Sequence, residues 1–282
     1  MNDRICVVTG ATHGVGLATA RALAARCATV VVHGRDAARA RSVAADISRA
    51  SGNPDVRFVQ ADFAQLAQVR RLARELHEQL PAVHVLINNA AVMPAAPARS
   101  ADGYDLAFAV NHLAPFLLTS LLLPKLRQSA PARVVVVASN AHRRARLDFS
   151  DLMNEQVSGL WPAYQRSKLA NLLFTRALAR RLAGSGVTVN ALHPGVIRSQ
   201  LFREAPAPLR LLLTLFGRIL LRSPEHGART SVYLALSPEL AGQSGGYYQD
   251  CRRVTPSIAA QNDADAERLW QESARLTQLA AA

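Results

Sequence analysis

An α/β fold, with a parallel sheet doubly wound by helices on both faces, is predicted by three observations. Short apolar runs alternate with longer Ala-, Leu- and Arg-rich helical patterns along the chain. The apolar runs are continuous instead of alternating with polar residues, as in strands covered on both faces. A glycine-rich turn joins the first run to the first helical pattern. Such alternation implies right-handed crossovers between parallel strands.

The elements follow in order. Residues 5–9 form the first strand and residues 16–26 the first helix. Further strands are predicted at 29–33, 56–60, 83–88, 133–138 and 187–192, and further helices at 37–50, 66–79, 103–128, 164–183 and 224–236. No repeat, low-complexity linker or charge block divides them, so residues 1–282 read as a single domain. One segment, around 200–222, breaks the rhythm. There Ala205-Pro206-Ala207-Pro208 leads into a very apolar stretch, 209–221, with Leu209, Leu212, Leu213, Phe216 and Leu220 on one helical face. It is too short and too charged for a transmembrane span, which needs about 20 apolar residues. A lid-like insertion over an apolar substrate pocket is the first reading; a core helix and an amphipathic foot making peripheral membrane contact are the others.

Half of the 282 residues are hydrophobic, enough for a sizeable core. The net charge of +13 comes from arginines spread along the chain, with only short clusters such as Arg143, Arg144 and Arg146. Without a long basic run or interleaved aromatics, no nucleic-acid partner is expected. Cys6, Cys27 and Cys251 lie far apart, and His112, His142 and His193 fit no zinc spacing, so no metal is expected. Met1-Asn2-Asp3-Arg4 runs directly into a strand. The expectation is therefore no signal peptide, no N-terminal anchor and a cytoplasmic location.

Two motifs carry chemistry. Gly10-Ala11-Thr12-His13-Gly14-Val15-Gly16 lies where the first strand meets the first helix. Glycines there permit a tight turn and close backbone approach, and a helix N-terminus offers free N–H groups to a pyrophosphate. The spacing is G-x-x-x-G-x-G and not the G-x-G-x-x-G of the standard dinucleotide fingerprint, but its place at the first strand–helix junction agrees with a Rossmann-type architecture. The second strand ends Val32-His33-Gly34-Arg35-Asp36. A carboxylate at its tip would bond a ribose 2′-hydroxyl, whereas an arginine suits the 2′-phosphate of NADP, so Arg35 points to NADP(H). The second motif is Tyr164-x-x-x-Lys168, which holds one of only two lysines in the chain. On a helix these two share a face, and a nearby ammonium is expected to lower the phenol pKa toward proton transfer at neutral pH.

Seven landmarks occur in order: Thr9-Gly10-x-x-x-Gly14-x-Gly16, Asp62-Phe63, Asn88-Asn89-Ala90-Ala91, Asn111-His112-Leu113, Ala138-Ser139, Tyr164-x-x-x-Lys168 and His193-Pro194-Gly195. With them the chain resembles the short-chain dehydrogenase/reductase family, especially its retinol dehydrogenase-like branch, over nearly its whole length. The branch likeness rests on 86–90, 111–119, 167–171 and 177–182. The resemblance implies an NADP-dependent oxidoreductase that interconverts an alcohol and an aldehyde or ketone on an apolar small-molecule substrate.

The resemblance also implies site roles. Tyr164 would be the general acid/base, and Lys168 would tune it and hold the nicotinamide ribose. Ser139 would bond the substrate oxygen, and Asn111 would hold a proton-relaying water. His13 falls where NADP-preferring relatives carry a base, and Gly34 where NAD-preferring ones carry an acid. Asp62 would bond the adenine amino group, with Phe63 beside it; Asn89 and Ala90 would line the adenosine ribose. Pro194, Gly195, Ile197 and Ser199 would flank the carboxamide. Asn88 reads as a buried amide tying adjacent strands. A homodimer or homotetramer is the family's common assembly. The other functional reading is a non-catalytic NADP-sensing or scaffold protein on the same fold.

Overall fold

The computed structural model describes residues 2–156, 159–197 and 222–279. Ser199 and nearly all of the predicted 200–222 insertion lie outside the described residues. A single sheet organises the chain, with strands β1 (Asn2–Val8), β2 (Cys27–Gly34), β3 (Val56–Gln60), β4 (Val85–Asn88), β5 (Ala132–Val137), β6 (Val187–His193), β7 (Tyr247–Gln249) and β8 (Arg252–Arg253). Their spatial order is β3-β2-β1-β4-β5-β6-β7-β8, and every pairing except β7–β8 is parallel. The order reverses direction between β1 and β4, which opens a crevice at their carboxyl ends, where open α/β sheets bind ligands.

The helices are α1 (Gly14–Ala24), α2 (Ala37–Ser51), α3 (Leu66–Gln79), α4 (Leu106–Gln128), α5 (Leu160–Arg181), α6 (Pro224–Leu236) and α7 (Asp263–Leu276). Both sheet faces are covered, as the continuous apolar strands require. In β1, Ile5 and Val7 pack toward one core, together with residues of α3, α4, α5 and α7. Cys6 and Val8 pack toward the other, with residues of α1, α2 and α6. The strand's period of two thus divides one apolar run between two cores.

Local chemistry sets the helix ends. The Asp36 carboxylate accepts from Arg39 N and starts α2, and Gly52, at φ +69°, ends it. Asp105 accepts from Phe108 N at 2.8 Å, so α4 begins at Leu106 and not at the predicted 103. Gly159, at φ +101°, precedes α5, and Pro162 stands in its first turn, so this helix starts four residues before Tyr164. Within α4, Ala109–Leu113 winds as a π-helical turn, a local widening common at functional sites. Helix α4 is the one described helix long and apolar enough to cross a bilayer; 78% of its apolar window is buried inside the protein, as in a core helix.

Helix α7, which the sequence reading did not assign, closes one core. Trp270 packs edge-on against Phe116 at 4.9 Å and stacks with Phe174 at 6.1 Å. The His112 Nε2 atom lies 2.8 Å from Ser273 Oγ. Arg181 sits over the Trp270 ring and pairs with Glu267 at 2.7 Å.

Two buried histidines make the fold sensitive to acid. Burial pushes His33 down to about 4 and His112 down to about 3. Both are neutral when folded and protonate near 6.5 when unfolded, so the unfolded chain binds more protons between those values. Stability is fully present above pH 6.5 and falls as pH drops toward 4, together on the order of several kcal/mol at about 1.4 kcal/mol per unit. Guanidinium midpoints measured at pH 7, 5.5 and 4.5 should fall steeply, before most carboxylates titrate. A constant midpoint over that range would contradict the burial of neutral imidazoles.

Candidate active site

The glycine loop is built by clearance. Gly10 has φ +62°, and a Cβ there would lie 2.7 Å from Ala90 Cα. A Cβ on Gly16 would lie 2.3 Å from Gly10 O and 2.4 Å from Asn89 Nδ2. Asn89 is the clamp: its Nδ2 donates to Thr9 O at 2.8 Å and to Gly10 O at 3.1 Å. The Thr9 hydroxyl accepts from the backbone of Asn89 and Ala90. The loop is thereby tied to the end of β4, across the strand-order reversal. Asn88 behaves differently from the sequence expectation. Its Nδ2 donates to Thr119 Oγ1 at 2.8 Å, so it ties β4 to α4 and not to a neighbouring strand.

His33 was passed over in the sequence, where it reads as one more residue of an apolar strand. Its Nδ1 accepts from Gly10 N at 3.1 Å, and its Nε2 lies 3.0 Å from Ala61 O as donor. Its ring stacks on Phe63 with centroids 4.4 Å apart. One imidazole thus braces the glycine loop, the end of β3 and the predicted adenine neighbour. Beside Phe63, Asp62 Oδ1 accepts from Ala64 N at 3.0 Å, which fixes the turn after β3.

At the tip of β2, a Cβ on Gly34 would meet Thr12 Cγ2 at 2.5 Å, so a carboxylate side chain there would have to displace the Thr12 methyl. Arg35 is exposed there, as is His13, whose Nδ1 lies 3.2 Å from Thr12 Oγ1. Arg39 was also missed. Its Nε donates to Thr12 O at 3.4 Å, bringing a second guanidinium to the loop. On the other side, Ile197 and Val15 meet over Gly227: a Cβ there would lie 2.8 Å from Ile197 Cδ1 and 3.0 Å from Val15 Cγ2. Gly195, at φ +95°, turns the chain after Pro194 at the end of β6.

These features fit a dinucleotide. A tight backbone cradle at a helix N-terminus, the missing side chain at position 34 and nearby cations form a complementary set for a phosphorylated ribose and pyrophosphate.

A second group of residues gathers where β5 ends and α5 begins. Ser139 follows β5; its Oγ accepts from Ala141 N at 3.2 Å and shares a hydrogen bond with the Tyr164 phenol. Lys168 Nζ donates to Val137 O at 3.0 Å and lies 5.6 Å from the Tyr164 ring centroid. Asn111, in the π-helical turn, uses its side chain on protein. Oδ1 accepts from Val92 N at 2.7 Å, while Nδ2 donates to Val92 O at 2.9 Å and to Ser167 Oγ at 3.0 Å. The amide is thus a brace between the chain after β4 and α5.

The electrostatics depart from the sequence expectation. Burial pushes the Tyr164 phenol up to about 12, against the hydrogen bond from Ser139, which lowers it. Burial also pushes Lys168 down to about 8. The ammonium lies toward the phenol ring with one proton committed to Val137 O, and removal of the phenol from water outweighs its attraction.

The sequence profile of the short chain dehydrogenase family matches residues 4–209. The chain belongs to the short chain dehydrogenase family. It is 44% identical to the bovine (Bos taurus) dehydrogenase/reductase SDR family member 13 over 284 residues, covering 99% of this chain and 74% of that one. It is 43% identical to human retinol dehydrogenase 12 over 273 residues, covering 97% and 86%. An uncharacterized protein from Mycobacterium Paratuberculosis shares 33% identity at a TM-score of 0.78, covering 98% of this chain and 93% of its own. The Pseudomonas aeruginosa RhlG/NADP active-site complex shares 27% identity at a TM-score of 0.70, covering 86% and 93%. As a short chain dehydrogenase with retinol dehydrogenase relatives, the chain is an oxidoreductase of the Rossmann type.

Proposed function

We propose that the protein is an NADP(H)-dependent oxidoreductase that interconverts an alcohol and an aldehyde or ketone on an apolar substrate, with Tyr164 as general acid/base. The observation that supports this reading most is the pairing of a buried phenol with the Ser139 hydroxyl, one helical turn from the Lys168 ammonium. A bound nicotinamide supplies the hydride. Tyr164, pushed up to about 12, keeps its proton at neutral pH, which suits donation to a carbonyl oxygen. Ser139 can donate to the same oxygen as charge develops there. Lys168, anchored on Val137 O, retains N–H donors for ribose hydroxyls and returns positive charge beside the phenol.

The preference for NADP(H) is read from Arg35, Arg39 and the crowding at Gly34. Replacing Arg35 and Arg39 together by Ala should raise the NADPH Kd by about 10²-fold, at one to two kcal/mol per charge-assisted contact, and leave the NADH Kd nearly unchanged. Nucleotide fluorescence titration reads both constants. Equal losses for the two nucleotides would remove the 2′-phosphate assignment. NADPH consumption with a panel of aldehydes and ketones tests the activity itself, and binding without turnover across the panel would favour the non-catalytic reading. A cytoplasmic location and self-association through the long helices α4 and α5 remain part of this proposal.

A further inference from the structure

Among the described residues three large apolar side chains stand exposed: Trp161, Val196 and Ile258. Trp161 is 48% exposed and stands in the first turn of α5, three residues before Tyr164. Its indole stacks on the Tyr164 ring, with centroids 5.6 Å apart and planes 25° from parallel. Tyr164 itself is only 6% exposed. The phenol is therefore buried beneath a half-open aromatic surface that runs nearly parallel to it. Val196 follows β6, and Ile258 follows Ser257, whose N–H donates to His142 Nε2 beyond β5. Trp161 and Val196 thus belong to segments that leave the carboxyl ends of β5 and β6, the side on which Ser139 and Tyr164 meet.

The stack with Tyr164 alone explains little of this. A small residue would have left Tyr164 no less free to meet Ser139, and the half of the indole that stays in water adds nothing to the fold. An indole is a flat, polarizable surface that favours offset contact with another conjugated ring. A substrate oxygen that reaches the phenol brings the atoms next to its carbonyl within range of that surface.

We propose that Trp161 is the substrate-selecting shelf of the site, and that the substrate class it favours is a flat conjugated or aromatic aldehyde or ketone over a saturated one. This rests on the reading of Tyr164 as proton donor. Trp161 acts by stacking with the substrate and takes no part in the proton transfer.

The test compares 2-naphthaldehyde with decahydronaphthalene-2-carbaldehyde, which has the same carbon skeleton without the planar π face. In Trp161→Ala, the kcat/KM preference for the aromatic aldehyde should fall about tenfold, carried mainly by KM, and Trp161→Phe should restore most of it. Titrating 2-naphthaldehyde should also quench tryptophan emission in the wild type. The quench should be largely lost in Trp161→Phe, which keeps Trp270 as the remaining tryptophan. Equal losses for the two aldehydes, or an unchanged preference, would overturn the shelf. So would turnover of 2-naphthaldehyde without a Trp161-dependent quench. A Trp161-dependent quench without turnover of either aldehyde would keep the shelf and remove the oxidoreductase reading, and absence of both would remove the two together.

Discussion

Tyr164→Phe is expected to lower carbonyl reduction by about 10²–10⁴-fold, the range for loss of a positioned general acid, while NADPH binds with nearly its original affinity. The substitution removes one oxygen and keeps the ring. The stack on Trp161 and the packing at the start of α5 are therefore retained. Only the Ser139 hydrogen bond and the proton are lost. NADPH oxidation measured in single turnovers, beside a fluorescence titration of NADPH, separates the two quantities. Turnover near the wild-type rate would end the assignment of Tyr164. The two directions of the wild-type reaction should also respond oppositely to pH. A phenol near 12 stays protonated through neutrality, so reduction keeps its donor, whereas alcohol oxidation needs the phenolate and should rise with pH across the alkaline range.

Gly16→Ala is expected to be severely damaging for the addition of a single methyl group. The new Cβ would lie 2.3 Å from Gly10 O and 2.4 Å from Asn89 Nδ2, and neither can retreat without opening the clamp on the loop. A steric insertion of this kind costs about 1–3 kcal/mol of stability, a drop of several degrees in Tm, and it displaces the backbone that would face the pyrophosphate. NADPH affinity should fall about a hundredfold in the same variant. Thermal unfolding and nucleotide titration check the two effects, and a variant that melts and binds like the wild type would show that Asn89 does not hold the loop closed.

Much of this was legible in the sequence because it depends on local pattern. The apolar runs of β1, β2, β4 and β5 exceed what any amphipathic helix would carry, and they mark a sheet buried on both faces. The glycine spacing and Tyr164-x-x-x-Lys168 are short-range signals, so they located the loop and α5. What stayed hidden depends on distant contacts. Strand β7 has three residues and becomes a strand only beside β6. His33 and Arg39 look ordinary until the fold brings Gly10 N and Thr12 O to them. The direction of the Tyr164 shift was hidden for the same reason: spacing shows that an ammonium is near, but only the folded protein shows how completely the phenol is removed from water.

The docking of α7 bears on how the chain is made. Phe116 and Phe174 lack part of their aromatic cover, and His112 lacks its Ser273 partner, until residues 263–276 emerge from the ribosome. Those two phenylalanines lie on α4 and α5, the helices that carry Asn111 and Tyr164. The half that carries Asn111 and Tyr164 therefore keeps apolar surface uncovered from the completion of α5 until α7 is made, an interval in which exposed apolar surface favours aggregation.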